Sequence, residues 1–117
     1  MINSRQKGAA AERAFRDVLR AEGYKDAIRG CQHSAVGADG GAAPDVQCKS
    51  LGFIHFEVKH RERGVTRDGL EQARRDAKDE QIPVFAFRKN HAGWLVAMSL
   101  EDFFKMVREL PDEFQIL

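Results

Sequence analysis

Asp45, Glu57 and Lys59 lie in two short segments that alternate apolar and polar residues. In Phe53-Ile54-His55-Phe56-Glu57-Val58-Lys59, an extended chain puts Ile54, Phe56 and Val58 on one face and His55, Glu57 and Lys59 on the other. In Asp45-Val46-Gln47-Cys48-Lys49, Val46 and Cys48 take the apolar side, and Asp45, Gln47 and Lys49 the polar one. Ser50-Leu51-Gly52 joins the two as a hairpin. The apolar faces must coincide, because a slip of one residue would bury charges. A three-residue loop then pairs Lys49 with Phe53, Gln47 with His55 and Asp45 with Glu57. A four-residue loop would set Asp45 against Phe56, on the wrong face. Opposed carboxylates with Cβ atoms about 5 Å apart repel each other. A divalent cation between them turns that cost into a binding site, and hard oxygen ligands on rigid strands suit Mg2+ or Mn2+. Lys59, about 7 Å along the same face, can hold a phosphate oxygen, orient an attacking water or offset developing negative charge. The metal acidifies that water and acts as a Lewis acid. These are the requirements of phosphodiester hydrolysis.

The flanking pattern supplies elements to hold this hairpin. Residues 5–22 read as a helix with Ser4 as N-cap, Gly23 as stop and an apolar stripe of Ala11, Phe15, Val18 and Leu19. Glu12 borders that stripe, and a carboxylate there needs a partner; it is the acid placed to complete a metal shell. A short strand follows at 27–31, then a Gly/Ala-rich segment, 30–43, that reads as a mobile loop. After the hairpin, a polar helix at 66–80 turns Leu70, Ala73 and Ala77 inward. Pro83 opens the run 84–87, a central strand buried on both faces. A turn leads to a strand at 94–98. Ser99 caps a last helix with Leu100, Phe103, Phe104 and Val107 on its core face, ended by Pro111. Phe114, Ile116 and Leu117 form an apolar tail for docking on the same domain or on a partner chain. The order αβββαββα implies one α/β domain spanning 1–117, a small mixed sheet flanked by helices.

At 117 residues, 43% hydrophobic and 32% charged, the chain can bury a core without disulfides or structural metal. No stretch matches the roughly 18 apolar residues of a membrane span. The polar N-terminus has no signal-peptide pattern, so a cytoplasmic location with Cys31 and Cys48 reduced is expected. The net charge is +1, but 14 basic and 10 acidic residues precede Asp76, whereas 5 basic and 8 acidic ones lie from Asp76 onward. A basic first part carrying the site suits a polyanion; ordinary solvated surface charge accounts for it equally well.

Pro44-Asp45 followed by Glu57-Val58-Lys59 resembles the PD-(D/E)XK nuclease motif. Lys7-Gly8-Ala9-Ala10-Ala11-Glu12-Arg13 is similar to the N-terminal helix motif of archaeal-type Holliday junction resolvases and their phage relatives. The resemblance covers about 7–88. It implies a restriction-endonuclease-like αβββαβ core and an active site of Glu12, Asp45, Glu57 and Lys59. Mg2+ or Mn2+ would be held by Asp45, Glu57, Glu12 and the Val58 carbonyl. A serine-bearing glycine loop, here Ser34, and a glutamine on the next helix, here Gln72, match less closely. Lys7, Arg13, Arg61 and Arg63 are the expected substrate contacts, and Arg67 joins them in tracking phosphates. The implied substrate is branched DNA, a four-way junction, cut by a homodimer because symmetrical cleavage needs two active sites. Such resolvases are usually more basic than this chain. Two rivals stand: a repair or restriction-type nuclease acting on other DNA, and a non-catalytic DNA-binding module of the same fold.

Other residues offer weaker chemistry. His55, His60 and His91 are candidate ligands or phosphate contacts, although such histidines are more often merely exposed. Cys31-x-His33 with Cys48 and His55 lacks the CxxC knuckle of a zinc site. Ser34 lacks the strand-elbow-helix setting of an acyl-transfer nucleophile. The glycine segment has no Lys-Ser/Thr to make a phosphate loop.

Overall fold

Val46, Phe56 and Val84 stand side by side on one face of a five-stranded mixed sheet and form the centre of the core. The computed structural model describes residues 4–30, 44–60, 66–89 and 91–115. Along the chain these form α1 (Ser4–Ala21), β1 (Ile28–Arg29), β2 (Val46–Gln47), β3 (Ile54–His60), α2 (Thr66–Asp76), β4 (Ile82–Arg88), β5 (Leu95–Ala97) and α3 (Leu100–Val107). Sheet order follows chain order, β1-β2-β3-β4-β5. β3 and β4 are parallel and every other neighbouring pair is antiparallel. This small mixed sheet flanked by helices fits the expected restriction-endonuclease-like architecture.

α1 lays Ala11, Phe15 and Leu19 on the sheet, and the Phe15 ring meets Phe56 edge-on with centroids 5.2 Å apart. Burying a side chain of this size stabilises by roughly 1.5–3 kcal/mol, so this stripe fixes α1 firmly. The helix stops at Gly23, whose φ of 113° is the left-handed conformation that only glycine takes without strain. On the other face, α2 packs against β4 through Gly69. A Cβ at Gly69 would run into the Phe85 ring, so the helix approaches the sheet as closely as a backbone can. Gly69 and Ala73 are therefore its buried residues, and Leu70 and Ala77 sit half-exposed beside them. The expected stripe was displaced toward the smaller side chain. α2 also ends at Asp76, four residues short of the expected boundary.

β4 is buried on both sides through Val84, Phe85 and Ala86, as its unbroken apolar run predicts. The C-terminal part departs from expectation. Ser99 does cap α3, accepting from the Asp102 amide at 3.0 Å. None of α3's residues is buried, however: Leu100, Phe103 and Phe104 are exposed, as are Leu95 and Val96 on β5 and Phe114 beyond the helix. β5 is three residues long, and the strand face available to a following helix is correspondingly small. The expected core face of this helix is therefore an apolar surface facing solvent, and Phe114 does not dock on the domain.

Candidate active site

The β2–β3 register sets Val46 opposite Phe56. Extending that antiparallel register by one residue sets Asp45 opposite Glu57, the pairing that the coincidence of apolar faces requires. The connection differs from a simple loop. The chain leaves β2 after Gln47 and turns through a 3-10 segment, Lys49–Leu51, whose Lys49 amide is held by the Asp26 carboxylate at 2.8 Å.

Asp45 lies just before β2, where its amide donates to the Phe56 carbonyl at 2.9 Å. Its Oδ2 accepts from the Val58 amide, also at 2.9 Å, so the carboxylate sits at the level of the sheet. A strand residue points its N–H and C=O to the same side, so the Val58 carbonyl faces the same edge. Glu57, 3% exposed, comes to this carboxylate from β3 and hydrogen-bonds it. Lys59, half-buried two residues on, acts on both acids and favours their ionised forms.

Glu12 approaches from α1, and its charge acts on Asp45. The partner that Glu12 needs is Arg29 on β1, which donates from Nε and Nη2 at 3.2 and 3.1 Å. The four residues expected to form the site thus interact as one group, assembled from α1, the start of β2 and β3.

Electrostatics at this point oppose two negative charges. Burial pushes the Asp45 carboxyl up to about 6, with the Glu12 charge adding to it and the Val58 amide working against it. Glu57 is pushed up to about 8, first by burial and next by the Asp45 charge. The two carboxyls act on each other and titrate as a unit, both held above the ordinary carboxylate range. This donor set fits a divalent cation: the buried Glu57 carboxylate, the half-buried Asp45 carboxylate, a carbonyl oxygen and a further acid nearby, all hard oxygen ligands.

The remaining candidates lie in several places. Lys7, Arg13 and Arg67 are exposed, and Gln72 is half-buried on α2. Ser34, Arg61, Arg63, Cys31 and His33 fall outside the described residues. His91 is exposed, with φ at 61°. His60 accepts from Arg88 Nε at 2.9 Å and stacks on Trp94. Cys48 is buried with Val46 in the apolar core, so it has no part in a zinc set.

His55 is the departure: it is 1% exposed, under α2. Burial lowers its pKa, while Asp76 and Gln81 act to raise it. Asp76 is a neighbour that reading the strands alone misses. It also acts on Glu57 and helps push that carboxyl up. Its signal was available: Gly69, Ala73 and Asp76 follow the i, i+4, i+7 spacing of one helix face, so an acid closes the buried stripe of α2, as Glu12 borders that of α1. A cleft of about 500 Å3, lined by Gln47, Lys49, Lys78 and Gln81 among others, does not include Asp45, Glu57 or Lys59. The acids instead lie where β2 begins.

The family described as "Phage putative PDDEXK endonuclease" matches the chain over residues 3–117. No curated protein and no solved structure shows significant similarity to the chain. The matched segment takes in the whole acidic group, from Glu12 to Lys59, together with every helix and strand that supports it. The chain belongs to the PDDEXK endonuclease family.

Proposed function

We propose that this endonuclease is a metal-dependent DNA hydrolase whose active site is Glu12, Asp45, Glu57 and Lys59, and that it resolves four-way junctions as a homodimer in the cytoplasm. The observation that carries this reading is the convergence of half-buried Asp45 and buried Glu57, set opposite each other by the β2–β3 register, with Lys59 and Glu12 acting on the pair. When bound, Mg2+ or Mn2+ would supply a Lewis acid and a water of lowered pKa. Asp45, Glu57 and the Val58 carbonyl would hold it, and Glu12 would complete the shell once released from Arg29. The Val58 amide keeps the Asp45 carboxylate aimed. Lys59 orients the attacking water and balances charge on the phosphate. Lys7, Arg13, Arg61, Arg63 and Arg67 hold the DNA backbone, with Ser34 and Gln72 as further contacts.

Symmetrical junction cleavage needs two such sites. The exposed apolar residues of β5 and α3 are the surface that suits a second copy. The test is cleavage of a labelled junction and of matched duplex at equal salt, with and without Mg2+. Metal-dependent cutting of the junction in preference to duplex is expected. Equal cutting of both assigns the chain to repair or restriction-type nucleases, and no cutting with any divalent cation leaves a DNA-binding module. Asp45→Asn keeps an oxygen to accept from the Val58 amide. It should fold and bind DNA while losing cleavage at least a thousandfold; full activity would remove Asp45 from the mechanism.

A further inference from the structure

Glu57 also belongs to a second group of potential ligands, which does not include Asp45. One ligand atom each from His55, Glu57 and Asp76 lies within 4.8 Å of the other two. Among the described residues, neither ring nitrogen of His55 has a hydrogen-bond partner, although the side chain is 1% exposed. Burying a polar group without a partner is costly, and here the unpartnered group lies within reach of two carboxylates. Asp76 ends α2, and His55 and Glu57 occupy one face of β3, so the group joins the helix end to the central strand.

We propose that His55, Glu57 and Asp76 form a separate divalent metal site. An imidazole nitrogen with two carboxylate oxygens suits a transition ion such as Mn2+ better than Mg2+, which favours all-oxygen shells. Ligands about 2.2 Å from such an ion stand roughly 3–4.4 Å from one another, so a small closure of the observed spacing completes three positions, and water takes the rest. Glu57 is common to both sites, with its second oxygen left for Asp45. The proposal needs only these three residues, and it stands or falls apart from nuclease activity.

Mn2+ added to the full chain provides the test, read by pulsed electron paramagnetic resonance for directly bound 14N. The Asp45 site contains no nitrogen ligand, so the two sites are spectroscopically distinct. The expected result is a 14N coupling in the wild type that persists in Asp45→Asn and disappears in His55→Gln. Asp76→Asn, at a half-buried helix end where folding is retained, should weaken the nitrogen-coupled ion at least tenfold. Absence of the coupling in the wild type overturns the site, as does its survival unchanged in Asp76→Asn. A chain that cleaves DNA without the coupling refutes this inference alone. One that shows the coupling and cleaves nothing refutes the nuclease reading alone.

Discussion

Glu57 is where desolvation and charge repulsion act most strongly, and pH should expose both. Its folded pKa, about 8, lies above its ordinary value of 4.5, and that of Asp45, about 6, lies above 3.8. Between the ordinary and raised values the folded state binds more protons than the unfolded one. These two carboxyls therefore make stability without metal fall as pH rises from about 4 to about 8, the reverse of a salt-bridged carboxylate, while His55, whose pKa burial lowers, opposes the fall below its ordinary value of 6.5. Melting temperature measured across pH 5 to 9 in chelator should decline. Glu57→Gln, which stays neutral, should flatten the decline and raise stability at pH 8 by about 2 kcal/mol. If the proposed divalent metal binds these carboxylates, it competes with their protons, so its stabilising effect should grow with pH. A melting temperature that rises steadily toward pH 9 in chelator would contradict the upward shift of this pair.

At the scale of elements, the helix-strand contact at Gly69 is the tightest constraint. Phe85 fills the space a side chain would need, so Gly69→Val should cost about 2–3 kcal/mol in denaturant unfolding. Gly69→Ala should also destabilise although alanine favours helix by about 1 kcal/mol, and Phe85→Leu in that background should restore part of the loss. An unchanged midpoint for Gly69→Ala would mean that α2 stands further from the sheet. Element order, the central strand and the hairpin register were legible because each follows from apolar periodicity or from the rule that charges are not slipped into a core. Alternation also put His55 and Glu57 on one face. It could not tell that α2 would bury that face, since this depends on a glycine letting a helix come close. The outward-facing α3 was illegible for a related reason. An apolar stripe states that a helix needs a cover, and the sequence of one copy does not say which molecule provides it.

For the whole molecule, Leu95 and Val96 of an edge strand and Leu100, Phe103 and Phe104 of α3 are exposed apolar side chains near the C-terminal end. A few half-exposed aromatic and aliphatic side chains represent several hundred Å2, approaching the roughly 800 Å2 per partner of a standard interface. Phe104→Glu should weaken self-association at least tenfold in sedimentation equilibrium while leaving the melting temperature of the single chain within about 1 °C, because nothing in α3 is buried. Unchanged association would move the contact elsewhere. If that region joins the copies, each carries half of the machinery for a double incision. Initial resolution rates would then climb with the square of enzyme concentration when copies are scarce, whereas single-strand nicking would climb linearly. Under the proposed junction activity, dilution alone would replace paired incision by nicking.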